Sequence, residues 1–449
     1  MTQLHLDLNA PTRTHDAVWA FGGSVCHASM LIRKDVRRHL MMCRDELGFR
    51  HVACRGMLGA DMSVIGPDGA FSFDKIEPVM DWLLENGMVP FLRLAEPEPA
   101  AADASRWREL VKALATHVDG RYGCDAREWF FEIVPAASGD GPAGAASGDA
   151  FQSFDAILRA IKAVHPEYRV GWHAANGDEP LDRFMACVAA PPEGDAAEPP
   201  RCDFLTTDGC GDAATIRRKL SVAWGDATPL IVLGWGGEAA GNAASVHDEC
   251  NHAAVIVRSA IELSNVCQGV VTRNISDIDA GGDRGPGGGE PFHDGRGLIT
   301  VNDVRKGAFH ALRLLHEHGG YHGERLASHW TDAPPGLACL ATRSESTLRL
   351  LFCLTREPGV AGPVRFTIDG IPASVHDAQV EVIRPGAGSA FEAWTQLGKP
   401  QFVNREVLDA LELASLPAQA SVNFREYPPR LEPGMVMQLT INLPFDDVI

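Results

Sequence analysis

Residues 31–54, LIRKDVRRHLMMCRDELGFRHVAC, contain a helix, its stop and a strand, and their reading decides the fold. Ile32, Val36, Leu40, Cys43 and Leu47 fall 4, 4, 3 and 4 residues apart, the spacing of one apolar helix face. Gly48 ends that face, as a glycine just past a helix terminus does because it enters the left-handed region without a Cβ clash. The apolar run 49–54 follows at once and reads as a buried strand. A helix feeding directly into a strand is half of a parallel βα unit.

The same unit recurs. Helical spacing over 76–85 stops at Asn86-Gly87 before a strand at 88–94, and a helix at 107–118 precedes a strand at 128–134. Later strands read at 169–172, 203–206, 230–233 and 269–273, with helices near 151–164, 180–189, 213–222, 244–264 and 304–317. With a first strand near 18–22 this makes eight βα units, which predicts an α/β chain with a (β/α)₈ barrel over residues 15–325. Beyond about residue 325 the segments 348–354, 364–368, 378–383 and 435–443 are short, strand-like and separated by Gly/Pro turns. They predict an all-β sandwich over 326–449, to which residues 1–14 add a strand through the alternation at 2–8. Stretches 135–150, 189–200 and 281–290 are rich in Gly, Ala, Pro and Asp and read as loops. The first and third follow barrel strands four and eight, so they belong to the C-terminal face, where barrels keep their chemistry.

With 449 residues, 45% apolar and 22% charged, the chain has the make-up of one large barrel plus a smaller domain. A net charge of −19 argues against nucleic acid, whose phosphates need a basic surface. No run of 18 apolar residues occurs, so no membrane partner is expected. The opening MTQLHLD has neither a basic nor an apolar leader region, and the 11 cysteines are scattered without a CxxC pair. Reduced thiols in the cytoplasm, acting as small buried hydrophobes, are the expectation. Gly285-Pro286-Gly287-Gly288-Gly289 lacks the Lys-Ser/Thr of a phosphate loop, and no Gly-x-Ser-x-Gly elbow is present, so no cofactor and no serine hydrolase are expected. A homo-oligomer stays open.

Trp129-Phe130-Phe131-Glu132-Ile133-Val134-Pro135-Ala136-Ala137 resembles the strand ending Phe-Glu-Val-Trp-Asn-Glu-Pro in the xylosidase branch of glycoside hydrolase family 39. Pro229-Leu230-Ile231-Val232-Leu233-Gly234-Trp235 resembles that family's Ile-Thr-Glu-Trp strand. The likeness continues through His27-Ala28-Ser29, Asp45-Glu46-Leu47-Gly48, Arg121-Tyr122-Gly123, Ser276-Asp277, Phe292-His293-Asp294-Gly295 and Lys306. It implies a barrel whose accessory sandwich is built from both termini, acting on carbohydrate. It also implies that Ala136 holds the general acid/base position and Gly234 the nucleophile position, both glutamates in the family. A retaining glycosidase needs two carboxyls about 5–5.5 Å apart, and neither residue supplies one. Glu132 lies four residues before Ala136, roughly 13 Å down the strand, too deep to replace the acid.

The other departures also cluster at strand ends. Arg55 stands where the family has His, Arg93 where it has Glu, Asp208 where it has His, and Thr272-Arg273 where it has Tyr-Trp. Arg55, Arg93 and Arg273 would converge on the mouth, either to bind an acidic saccharide or to pair with neighbours such as Glu96, Asp208 or Asp277. Trp172 and Trp235 end strands five and seven, as sugar platforms or as core. His27, His173 and Asp208 could meet at a metal, but satisfied histidines are the simpler reading and no metal is expected. His27, His173, Asp208, Asp277 and His293 join the arginines and tryptophans as the ligand-facing set. The leading expectation is a glycan-binding pseudoenzyme of polysaccharide metabolism. The alternatives are an active glycosidase with relocated carboxylates, for which Glu96, Asp208 and Asp277 are the candidates, and a structural protein without a sugar ligand.

Overall fold

The computed structural model describes residues 2–9, 17–95, 104–134, 148–174, 182, 202–225, 227–236, 246–278, 290–319, 324–344, 346–360 and 362–444. After a first strand, β1 Thr2–Leu6, eight parallel strands close into a barrel. They are β2 Gly22–Val25, β3 His51–Cys54, β4 Val89–Ala95, β5 Phe130–Val134, β6 Arg169–Ala174, β7 Phe204–Asp208, β8 Leu230–Trp235 and β9 Gly269–Thr272, with β9 returning to β2. Around them pack α1 Lys34–Leu47, α2 Glu77–Glu85, α3 Ala104–Tyr122, α4 Gly148–Lys162, α5 Ala213–Trp224, α6 Cys250–Leu263 and α7 Gly307–His316. The helix expected near 180–189 lies outside the described residues, apart from Asp182.

The opening unit forms for the reasons its spacing suggested. Val36, Leu40, Cys43 and Leu47 are buried along α1, and Gly48 at φ +72° donates its N–H to the Arg44 and Cys43 carbonyls. Ile32 departs from the expected face: it lies before the helix in a 3₁₀ turn and is exposed. The first strand is also shifted. Val18–Ala20 forms a 3₁₀ turn that buries Val18 and Trp19, and the strand begins at Gly22. An apolar run so short does not declare its period, whereas the glycines declare the close packing: a Cβ on Gly23 would lie 2.5 Å from Ile275 Cγ2.

Inside the barrel, Phe91, Phe130, Phe204, Ile231, Leu233 and Val271 form an apolar plug. Phe91 stacks on Phe130 at 5.2 Å, and Phe204 meets Phe130 edge-on at 5.0 Å. The side chains above this plug stand on an apolar surface.

The remaining strands make two sheets. One orders β11 Ser328–Thr331, β1, β14 Val364–Asp369 and β17 Arg430–Leu431; the other orders β10 Glu324–Arg325, β12 Leu337–Ser344, β13 Thr347–Leu354, β18 Met435–Asn442, β15 Asp377–Ile383 and β16 Ala418–Asn423. The N-terminal strand thus joins the C-terminal region, antiparallel to β11 and parallel to β14. Leu4, Phe352, Phe366 and Leu439 share the core of this region. Two helices that the strand-like pattern did not anticipate, α8 Phe391–Gln396 and α9 Arg405–Ser415, interrupt it. Phe391, Trp394 and Leu411 pack on Phe292 and Val304 from the segment after β9, so the pair buttresses the barrel. Among the described residues no helix is long and apolar enough to cross a membrane.

One ion cluster fastens the barrel loops. The buried Lys306 ammonium lies 2.5 Å from Asp248 Oδ1 and 2.6 Å from Asp277 Oδ2, and donates to the Gly295 carbonyl at 2.8 Å. Burial, opposed by Lys306 and reinforced by Asp248, holds the Asp277 carboxyl above its ordinary range. Lys306→Met leaves two buried carboxylates facing each other and should cost about 3–5 kcal/mol at neutral pH. A carboxyl with a raised folded pKa loses stability as pH rises through that value, so the deficit should shrink on acidification. Urea melts of both proteins at neutral and mildly acidic pH check this; an equal deficit at the two would contradict it.

Candidate functional site

Alternation along the barrel strands sends every second side chain inward, and above the apolar plug these side chains are polar. Arg93 on β4 stands directly opposite Glu132 on β5, with Thr206 and His173 paired across β7 and β6. The Arg93 guanidinium binds the Glu132 carboxylate through Nε and again through Nη2 at 3.4 Å. The Thr206 hydroxyl donates to the same carboxylate, and His173 Nδ1 lies 3.1 Å from Glu132 Oε1. The other imidazole nitrogen, Nε2, faces Asp208 Oδ2 at 3.5 Å. A chain of alternating charge therefore runs from β4 to the mouth.

Burial works against every charge in this chain, and the neighbours overcome it. Burial raises Glu132, but the charge of Arg93 and the hydrogen bond and charge of His173 bring it down to about 2. Burial lowers His173, yet hydrogen bonds to Asp208 and Glu132 raise it above its ordinary value. Asp208 is also resisted by burial, and the His173 hydrogen bond with the charges of His173, Arg93 and Arg55 holds it far below the usual carboxylate range. Arg93 is raised for the same reason, the charges of Glu132 and Asp208 outweighing desolvation. The neighbours thus favour the ionised form of all four groups, Arg93, Glu132, His173 and Asp208.

Beside Asp208 the β8 strand is irregular. Its register against β9 shifts between Val232 and Trp235, and Gly234 sits in the left-handed region at φ +67°. A glycine in that conformation is the mark of a bulge, which re-aims the residue after it. Among the described residues, a Cβ built on Gly234 would meet Asp208 Oδ1 at 3.8 Å. The Asp208 side chain is 40% exposed, so this carboxylate forms the boundary between the ion chain and the open mouth.

The expected site residues divide. Arg55 is exposed at the end of β3 and acts electrostatically on Asp208. His27 is half-buried next to it: Nδ1 lies 2.9 Å from Asp61 Oδ2, and a Cβ on Gly56 would fall 1.8 Å from its Nε2. Arg273 is exposed after β9, with its N–H bonded to the Trp235 carbonyl at 3.0 Å. His293 is half-buried within electrostatic reach of Asp277. Glu96 and Ala136 lie outside the described residues.

Several expectations need correction. Arg93 is buried against Glu132, not open to a ligand and not paired with Asp277. Trp172 and Trp235 are core residues on the outer face of the barrel: Trp172 meets Phe154 of α4 edge-on at 4.9 Å, and Trp235 Nε1 donates to Ser259 of α6 at 2.8 Å. For Trp235 the bulge explains the difference. Asp277 is locked by Lys306 and the Gly297 N–H and has no exposed edge for proton transfer. Among the described residues no three His, Cys, Asp or Glu side chains could hold a metal ion. Glu132 and Thr206, dismissed or overlooked in the sequence, are the centre of the arrangement; the signal for them was the inward parity that Glu132 shares with Phe130.

Arg93→Met strands a buried carboxylate and should destabilise the protein by about 3–5 kcal/mol, whereas Arg93→Met with Glu132→Leu should recover most of that loss in urea melts. The pH dependence has a defined window. The His173 contribution is complete below its ordinary 6.5 and is lost as pH rises through its raised value. The Glu132 contribution is complete above its ordinary 4.5 and is lost as pH falls towards about 2. The stability gap between the native protein and His173→Gln should therefore be widest between those two ordinary values and narrow on either side. A gap independent of pH would refute the ionised chain.

The comparisons with known proteins agree with this architecture. The model of glycosyl hydrolases family 39 matches residues 2–188 and 214–427. The chain is 28% identical over 440 residues to a β-xylosidase of Caldicellulosiruptor saccharolyticus, covering 88% of each. It is 22% identical over 453 residues to a β-xylosidase of Geobacillus stearothermophilus, covering 88% of this chain and 86% of that one. In fold it is similar to the crystal structure of a monomeric β-xylosidase from Caulobacter crescentus CB15, with a TM-score of 0.80 at 21% identity over 98% of this chain and 99% of that chain. With the family model spanning both the barrel and most of the sandwich, this chain belongs to glycosyl hydrolases family 39.

Proposed function

We propose that this family 39 protein binds a saccharide in the mouth of its barrel without ordinary two-carboxylate glycoside hydrolysis. The observation that carries the reading is Gly234, a residue with no functional group, at the end of β8 in a left-handed conformation that an L-side chain adopts only with strain. By resemblance this is the nucleophile position, and its counterpart for acid/base work is Ala136. Hydrolysis of an unactivated glycoside needs a proton delivered to a leaving oxygen, and an alanine delivers none.

The ligand is an acidic saccharide in this reading. Arg55 is exposed and acts on the Asp208 carboxylate together with Arg93 and His173, while Arg93 also pairs with Glu132. In a chain of net charge −19, basic side chains gathered at this end of the barrel favour a uronate or a phosphorylated sugar over plain xylose. The described cysteines are all free thiols, most of them buried, and a reducing cytoplasmic setting is proposed with the rest.

The expected outcome is binding without cleavage. Calorimetry should register both xylobiose and a uronate-bearing xylo-oligosaccharide, the second more tightly, and chromatography should find no xylose released from either. Arg55→Ala should erase about 1 kcal/mol of the preference for the uronate, roughly fivefold in affinity, and more at low salt. Release of xylose from xylobiose by the purified protein would overturn the reading. Failure of every tested sugar to bind would favour a structural role instead.

A further inference from the structure

We propose that Asp208 is a relocated nucleophile, and that the mouth turns over glycosyl donors whose leaving group departs as a stable anion, such as an anomeric phosphate. The inference rests on the reading that this mouth holds a saccharide and that no acid serves at the Ala136 position.

The geometry begins with the space at Gly234. A Cβ there would stand 3.8 Å from Asp208 Oδ1, so this oxygen lies beside the position from which a side chain on β8 would extend. β7 thus brings a carboxylate oxygen beside Gly234, one strand away. The two oxygens of Asp208 have different surroundings. Oδ2 faces His173 Nε2 at 3.5 Å, while Oδ1 lies on the Gly234 side, and the side chain is 40% exposed. Behind it stand His173, Glu132 and Arg93, a rigid buried support that fixes the direction of the carboxylate. Such support is what orients a reacting group, and the positive charges of His173, Arg93 and Arg55 keep it ionised.

An ionised carboxylate without an acid partner suits one class of substrate. A lone pair on Oδ1 forms a bond to the anomeric carbon while the bond from that carbon to the leaving oxygen breaks, and the leaving group carries the electron pair away as an anion. An alkoxide cannot leave in this way, but a phosphate or a nitrophenolate can, because each is already a weak base. Water then attacks the same carbon, the ester bond to Asp208 breaks with its pair returning to the carboxylate, and the water's proton passes to the released phosphate. Two displacements retain the anomeric configuration. The exposed Arg55 guanidinium adds positive charge where an anionic donor enters.

The test uses dinitrophenyl β-D-xyloside, methyl β-D-xyloside and β-D-xylosyl phosphate, with the corresponding glucuronides, on the native full-length chain. Turnover is expected for the dinitrophenyl and phosphate donors and not for the methyl glycoside. Asp208→Asn should lower it by about 100-fold or more, with Asp208→Glu retaining a measurable part. A fluorosugar dinitrophenyl donor should leave one glycosyl adduct on the native protein, mapped by mass spectrometry to the peptide carrying Asp208; this readout needs no variant to fold. Undiminished turnover in a folded Asp208→Asn protein, or an adduct on another residue, overturns the proposal. Absence of turnover and adduct while xylobiose or the uronate oligosaccharide still binds overturns it and leaves saccharide binding standing. Absence of binding as well removes both.

Discussion

Glu132 is a carboxylate with no exposure to water, standing on an apolar plug of phenylalanines at the centre of a closed barrel. Burying such a charge costs several kcal/mol unless partners surround it, and this constraint shapes everything above the plug. Arg93 must stand on the neighbouring strand at the same level, Thr206 must donate its hydroxyl, and His173 must offer a nitrogen. Once His173 is charged by Glu132 on one side, its second nitrogen calls for an acceptor, and Asp208 provides it. A requirement set deep in the barrel thereby decides the charge and direction of a carboxylate at its surface.

Much of the framework was legible because it depends on period and punctuation. The spacing of Val36, Leu40, Cys43 and Leu47 and the stop at Gly48 report local geometry that tertiary contacts do not override. The helices α8 and α9 were not legible: α8 has six residues, and its burial comes from Phe292 and Val304, nearly a hundred residues away in sequence. The site was legible in its residue types and not in its pairings. Arg93 and Asp208 stood out as departures from a family pattern and His173 as a ligand-facing histidine, yet nothing local announces that Arg93 faces Glu132, since strand register across parallel neighbours is settled by packing of the whole sheet. Trp235 shows the converse error: a strand-end position suggested the mouth, and a single bulge turned the side chain towards α6.

The bulge also links the two changes that distinguish this mouth. A glutamate at Gly234 would extend from a left-handed backbone into the space bordered by Asp208 Oδ1, so it would meet both conformational strain and a like charge. Asp208, conversely, would be a poor neighbour for a nucleophilic glutamate, because two carboxylates that close cannot both stay ionised without help. The glycine on β8 and the aspartate on β7 are therefore compatible with each other, whereas a glutamate in place of the glycine would crowd the aspartate. The Arg93–Glu132 pair behind them follows the same logic, since it charges His173 and through it favours an anion at Asp208. The absence of a side chain at Gly234 and the presence of a carboxylate at Asp208 are, in this barrel, electrostatically linked.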